Sequence, residues 1–175
     1  DDVLKLTEQS AQLAHKPSAI EPPSLALVHP SISQLHVGAF RTALERFDRI
    51  AQVDDRAEIE LFQQVQGVNY LILADCNRAE ALWCLGLPDA AVQCCTAGWE
   101  QARMLDQPFS QALAATYMAM VHELRGDSSF LPAASTALVL ATEFKAIYYQ
   151  LWARILVAYG KAIDDPSVPM AIQLR

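Results

Sequence analysis

The sequence contains no cluster of basic residues. Lys and Arg number 13 among 175 residues, against 20 Asp and Glu, so the net charge is −7. Nucleic acids and anionic membrane surfaces are bound by grouped Lys and Arg side chains, which neutralise phosphate charge. We therefore expect this chain to bind neither nucleic acid nor a membrane surface.

Long uninterrupted apolar runs are also missing. A membrane-spanning helix needs roughly 18 or more apolar residues, whereas the longest candidate, 112–121, contains polar residues and is soon followed by Glu123. The first residues, Asp1-Asp2-Val3-Leu4-Lys5, lack the charged-then-apolar arrangement of a secretion signal. The chain begins without Met and stops within a patterned stretch at 171–175. These features predict a piece of a longer, cytoplasmic protein.

Motifs of catalytic and metal sites are lacking as well. No serine lies in a Gly-x-Ser-x-Gly sequence, and no glycine-rich phosphate loop is present. The four histidines are scattered. Four cysteines form no Cys-x-x-Cys pair and predict buried, reduced thiols: Cys76, Cys84, Cys94 and Cys95. We predict no catalytic residue, no metal and no cofactor, with an undetected hydrolase using a carboxylate pair as the remaining enzymatic alternative.

What the sequence does contain is a succession of helical patterns. Hydrophobic residues make up 53% of the chain, while the 6 Gly and 9 Pro stand mostly at breaks in the pattern. Apolar residues recur at intervals of three and four, which indicates amphipathic helices. We predict helices at about 1–16, 25–37, 39–53, 71–85, 88–105, 108–125, 128–144 and 147–163, with another beginning near 167. Pro30 should kink or split the second of these, and 56–66 is expected to be a short helical or irregular crossover. Asp127 or Ser128 is expected to cap the helix at 128–144.

The breaks recur at a nearly constant spacing. Gly38, Gly86, Gly126 and Asp165 are separated by 48, 40 and 39 residues. Seven residues before the last three breaks stand Ala79, Ala119 and Ala158, whose small side chains would let paired helices approach closely. This period predicts one all-α domain over 1–175, an α-α superhelix (a solenoid) of about four antiparallel helix pairs. The repeats are expected at about 24–54, 67–106, 108–144 and 147–175.

The repeat is similar to the tetratricopeptide repeat, although its period is near 40 residues rather than the usual 34. A second resemblance rests on three sequence segments: ALWCLGLPDAA at 81–91, ARMLDQPFS at 102–110 and WARIL at 152–156. In this order they resemble the C-terminal helical region of bacterial STAND-type signalling ATPases, although Gln107 stands where that family often has His. The resemblance covers about residues 25–175.

That family resemblance implies a function without catalysis. In such proteins the helical region follows a nucleotide-hydrolysing module, itself preceded by a class III nucleotide cyclase or a DNA-binding transcriptional domain. The region acts as a sensor arm that binds a protein or small molecule and biases the upstream ATPase. A freestanding tetratricopeptide-type scaffold for a multiprotein complex is the alternative, and the apolar ends of a cut array make self-association a further expectation.

Repeat proteins of this kind usually bind partners on the concave face formed by the first helix of each pair. On the register above, nine side chains are expected to line that face: Cys76, Glu80, Trp83, Thr116, Met120, Glu123, Trp152, Ile155 and Tyr159. An apolar groove with two glutamates would suit a peptide helix with basic flanks or an amphiphilic small molecule. The alternative is that Trp83 and Trp152 pack in the core or between repeats.

Overall fold

The computed structural model describes residues 2, 5, 6, 8, 9 and 23–164. Within 23–164 the chain forms eight helices: α1 (Pro23–His36), α2 (Phe40–Ile50), α3 (Arg56–Gln66), α4 (Tyr70–Cys84), α5 (Pro88–Met104), α6 (Pro108–Arg125), α7 (Phe130–Glu143) and α8 (Ile147–Asp164). No residue of this stretch belongs to a β-strand. The all-α prediction is confirmed.

The chain divides into two compact units, Asp1–Cys94 and Cys95–Arg175, and the boundary falls within α5. In the first unit α1 packs against α2, and α4 contacts α1, α2 and α3. In the second unit α7 packs against both α6 and α8, and α6 also contacts α8. Consecutive helices pack as antiparallel pairs, as they do in helical-repeat proteins. The single domain and the repeat bounds stay predictions.

All three recurring glycines end helices, as the sequence predicts, and Gly38 follows α1 with φ +83°. Gly86 follows α4 with φ +79°, and Gly126 follows α6 with φ +66°. In each turn the glycine N–H donates to a carbonyl of the last helical turn, from Gly86 to Trp83 and from Gly126 to Glu123, both at 2.9 Å. A residue without Cβ adopts this left-handed conformation at little cost, so these positions favour glycine.

The stretch at 56–66 is a regular helix, α3, and the expected irregular alternative is wrong. The Asp55 carboxylate accepts hydrogen bonds from the backbone N–H groups of Ala57 and Glu58 at 3.0 and 3.2 Å. Phe62 is buried and its ring lies 5.3 Å from the ring of Tyr70 in α4. The cap and the aromatic contact both stabilise this helix. Neither of them is detected by a search for an apolar stripe.

Pro30 lies inside α1, and the helix is continuous through it. The predicted split of this helix is therefore wrong. Proline lacks the N–H that would bond the preceding turn, at a cost of about 3 kcal/mol. The Ser31 hydroxyl donates to the carbonyl of Leu27, and Val28 and Leu35 are buried on the helix that packs against α2. Burial of these apolar side chains offsets the missing hydrogen bond.

The small residues that recur with the repeat are all in the interior. Ala79, Ala119 and Ala158 have at most 1% of their surface exposed. Ala43 and Ala91, which stand five residues after Gly38 and Gly86, are fully buried as well. Each thus occupies a packed position where a larger side chain would collide with neighbouring atoms.

Some predictions concern residues at the two ends of the chain. Of the predicted helix at 1–16, only Asp2, Lys5, Leu6, Glu8 and Gln9 are described, and all five are helical. Glu8 forms an ion pair with Arg46 of α2. The fourth break at Asp165 and the helix predicted to begin near 167 lie outside the described residues.

Candidate binding surface

Three of the nine predicted surface residues lie on α4 in the first unit. Cys76 is fully buried, so a partner could reach it only if the surrounding helices separated. Glu80 and Trp83 are half-buried and keep part of their surface exposed. Of these three predicted residues, only Glu80 and Trp83 therefore offer surface to a ligand.

Glu80 lies in a partly desolvated environment. Burial raises the pKa of this carboxyl above its ordinary value, and the nearby His36 acts in the opposite direction. Cys84 is exposed, so the expectation that all four thiols are buried is wrong for this residue. Desolvation, followed by the negative charge of Glu80, raises the pKa of the Cys84 thiol, which makes this cysteine a poor nucleophile despite its exposure.

A polar cluster on the inner side of α4 was not predicted from the sequence. Arg78 Nε lies 2.7 Å from Asp48 Oδ1 of α2, and these two atoms are buried although each side chain is partly exposed. The Cys94 thiol donates to the Asp75 carbonyl at 3.3 Å. Burial raises the pKa of the Asp75 carboxyl, against the opposing charge of Arg78. Because this cluster joins helices within the unit, we assign it a structural role.

The other six predicted residues lie in the second unit. Thr116 is fully buried, and its hydroxyl donates to the Ala112 carbonyl at 2.7 Å. Met120 and Glu123 are partly exposed on α6. The Trp152 ring makes edge-on contacts with the ring of Tyr117 on α6, at 5.3 Å between centroids, and with the ring of Tyr148 on its own helix, at 6.0 Å. Part of the Trp152 side chain stays exposed to solvent.

Ile155 and Tyr159 belong to a longer exposed row on α8. We call this row the α8 stripe; its members are Ile147, Leu151, Ile155, Tyr159 and Ile163, and they are between 40% and 62% exposed. Tyr148 lies beside the stripe and is 67% exposed. Two of the five members, Ile155 and Tyr159, were predicted from the sequence. The recurrence of a large apolar residue at every fourth position was the signal for the other three.

A cleft of about 700 Å³ lies where the end of α6, the start of α7 and the end of α8 meet. Its lining combines carboxylates with apolar and aromatic side chains: Glu123, Gly126, Asp127, Ser128, Phe130, Leu131, Pro132, Tyr159, Gly160, Ile163 and Asp164. It brings together two of the predicted residues, Glu123 and Tyr159. Three lining residues are acidic and none is Lys or Arg, so the cleft favours a cationic group joined to an apolar one.

Asp127 is positioned in this cleft by the last turn of α6. Its Oδ2 lies 2.9 Å from His122 Nδ1 and 3.6 Å from Arg125 Nε, and its Oδ1 accepts a hydrogen bond from the Ser129 N–H at 2.9 Å. We predicted that Asp127 or Ser128 would cap the next helix, but α7 begins at Phe130 and the Asp127 side chain reaches back to α6. The sequence did not predict a role for Asp127 in the cleft.

The contacts of Asp127 predict a pH dependence. The hydrogen bond with His122, followed by smaller effects of Ser129 and Arg125, lowers the pKa of this carboxyl. Ionised Asp127 therefore stabilises the fold above the ordinary carboxyl pKa, and this contribution is lost as the pH falls through the lowered value. We expect Asp127→Asn to cost less than about 1 kcal/mol at pH 7, because the site is solvent-screened, and the difference from the native chain to vanish in acid.

Urea unfolding at neutral and acidic pH measures this difference. Asp54→Asn, at an exposed position, is the matched control and should change little at either pH. A constant difference between Asp127→Asn and the native chain across the pH range would contradict the assignment.

Further observations bear on the class of site. Among the described residues, no three His, Cys, Asp or Glu side chains are grouped so that they could hold a metal ion. None of the described helices is long and apolar enough to cross a membrane. Comparisons with protein-family models, with curated proteins and with solved structures gave no match. The conclusion drawn from structure is therefore the architecture itself, an all-helical chain of sequentially paired helices.

Proposed function

We propose that this chain is a non-catalytic binding and relay region of a larger signal-transduction ATPase, linked to a cyclase or a transcriptional regulator. The proposed binding role is based on the cleft of the second unit, which is lined by Glu123 and Tyr159 together with the carboxylates of Asp127 and Asp164. The resemblance of 81–91, 102–110 and 152–156 to the helical region of STAND-type ATPases supports the relay part.

The proposed ligand is a protein or peptide helix with basic flanks, or an amphiphilic cation. Both combine positive charge with an apolar surface, as the lining of the cleft requires. Glu80 and Trp83 on α4 form a similar, smaller combination of a carboxylate and an aromatic ring. A net charge of −7 would also favour the approach of a cationic ligand over long range at low salt.

The proposed relay operates by population shift. A helical array can adopt arrangements that differ slightly in the packing of neighbouring helices, and a ligand favours the arrangement to which it binds more tightly. The size of the shift is limited by the ratio of the two affinities. An upstream nucleotide-hydrolysing domain in the same chain would respond to that shift in population.

Binding can be tested with a synthetic amphipathic helix that carries lysines at both ends. We expect Glu123→Lys and Asp164→Lys, which both reverse a charge in the cleft, each to weaken binding of this peptide more than tenfold, measured by fluorescence anisotropy, with helix content unchanged in circular dichroism. Glu100→Lys, at an exposed position on α5, is the matched charge control and should retain native affinity.

The relay requires a second measurement, in the full-length protein. The same peptide is expected to change the rate of nucleotide hydrolysis, and Glu123→Lys should reduce that change. Binding with no effect on hydrolysis would favour the freestanding scaffold over the relay. Equal affinity of the peptide for the native chain and both variants, or nucleotide hydrolysis by the 175-residue chain alone, would contradict the proposal.

A further inference from the structure

The α8 stripe is an apolar surface that no described residue covers. All five members are large apolar or aromatic residues, and even the least exposed of them, Tyr159, is 40% exposed to solvent. Single exposed apolar residues are common on protein surfaces, but a contiguous row along an 18-residue helix is a feature of interaction surfaces.

No charged residue lies in this face of the helix. At 3.6 residues per turn, the stripe and the neighbouring Tyr148 and Trp152 fall within about 80° of Ile155 around the helix axis. The charged residues of α8 are Arg154, Lys161 and Asp164, and each lies about 100° or more from Ile155. The face is thus apolar over nearly half of the circumference.

The stripe is symmetric along its length about Ile155. If a second copy of the helix runs in the opposite direction and is centred on the same residue, its Ile163 lies opposite Ile147 and its Tyr159 lies opposite Leu151. Each large apolar side chain then meets another large apolar side chain. Two copies of α8 running in opposite directions therefore present equivalent rows to each other, which is the condition for a two-fold symmetric interface. Rows spaced by four also form the ridges that interdigitate in the commonest class of helix packing.

The exposed area matches what such an interface needs. The stripe and Tyr148 expose on the order of 100 Å² per side chain, or about 600 Å² per copy. A standard interface buries about 800 Å² per partner, of which a little over half is apolar. The α8 face therefore supplies the apolar part of a stable dimer, and the polar residues around it supply the rim.

From these observations we propose that α8 pairs with α8 of a second copy of this chain, across a two-fold axis at Ile155. The inference does not depend on the proposed binding function, since it concerns the chain without ligand. Because each copy carries a net charge of −7, the copies repel each other at long range, and added salt should strengthen the dimer by screening this repulsion.

Sedimentation velocity over a range of protein concentrations tests the pairing. The native chain is expected to form dimers, and Ile155→Arg to weaken dimerisation at least a hundredfold, because the two-fold axis brings the two arginines together. Val139→Arg makes a comparable change at a residue of α7 that is 63% exposed and should leave the dimer intact. Circular dichroism establishes that each variant is folded.

A mixing experiment tests the symmetry itself. Ile155→Asp alone should also be monomeric, whereas an equimolar mixture of Ile155→Arg and Ile155→Asp should associate, because residue 155 then meets an opposite charge across the axis. A native chain that stays monomeric at high concentration would overturn the proposal. So would an equal effect of Val139→Arg, or a mixture that stays monomeric.

Discussion

Replacing Phe47 by alanine is expected to lower the free energy of unfolding by about 3–5 kcal/mol. Phe47 is fully buried in α2, the helix that packs against both α1 and α4 in the first unit. Alanine at this position removes the transfer free energy of the ring and leaves a cavity that the two neighbouring helices, α1 and α4, can close only in part. Urea unfolding followed by circular dichroism measures the loss.

Met104→Ala is the matched control for this prediction. Met104 is 81% exposed at the end of α5, so its truncation should change the free energy of unfolding by no more than about 0.5 kcal/mol. A Phe47→Ala chain as stable as Met104→Ala would mean that α2 does not form the centre of the first unit.

Enlarging Ala119 to leucine is expected to destabilise the chain by about 1–3 kcal/mol. Ala119 is fully buried on α6, in an apolar cluster with Phe130 and Ala134 of α7 and with Leu156 and Val157 of α8. Three helices meet at this residue, so the added carbons can be accommodated only by moving a helix or by forcing neighbouring side chains from their preferred rotamers. Thermal and urea unfolding both measure this loss.

Ala97→Leu provides the same chemical change on an exposed position of α5 and should be nearly neutral. A neutral result at Ala119 as well would contradict the physical basis of the repeat, in which a small side chain seven residues before each break allows close helix packing. A selective loss at Ala119 would support it, and Ala79 in the first unit offers an independent repetition of the test.

Helix ends were the part of the fold that could be predicted best. Pro108 and Gly126 bracket α6, and the observed helix runs from Pro108 to Arg125, as predicted. These signals are local, because a proline in the first turn and a glycine beyond the last turn act through their own backbone conformations. The helix α3 was harder to predict although Asp55 caps its start and Gly67 ends it with φ +71°, because few of its residues are buried and its apolar pattern is weak.

The arrangement of the candidate surface was only partly predictable. Glu123 and Tyr159 meet in one cleft, whereas Cys76 and Thr116 are fully buried. A repeat of about 40 residues aligns helices in the chain, but it does not specify how far each helix is rotated about its axis. Since each residue turns the helix by about 100°, a shift of one or two positions exchanges a surface side chain for a buried one.

Long-range polar contacts were not predictable at all. Asp48 and Arg78 form an ion pair between α2 and α4, 30 residues apart in the chain. Asp127 was expected to cap α7 but bonds His122 in the preceding helix. Neither contact could be chosen from the sequence, because α2 carries two carboxylates, Glu45 and Asp48, and α6 ends with two possible cations, His122 and Arg125, so the pairing depends on the folded backbone.

By itself, the sequence determined that this chain is helical, where most helices begin and end, and which small residues lie between them. Those properties follow from backbone conformation and from the apolar period of a single helix, which neighbouring residues control. Only the tertiary structure decided that three helix ends form an acidic cleft and that no described residue covers one face of α8. Exposure is a property of the packed helices together, since a side chain becomes surface or core according to which other helix lies against it.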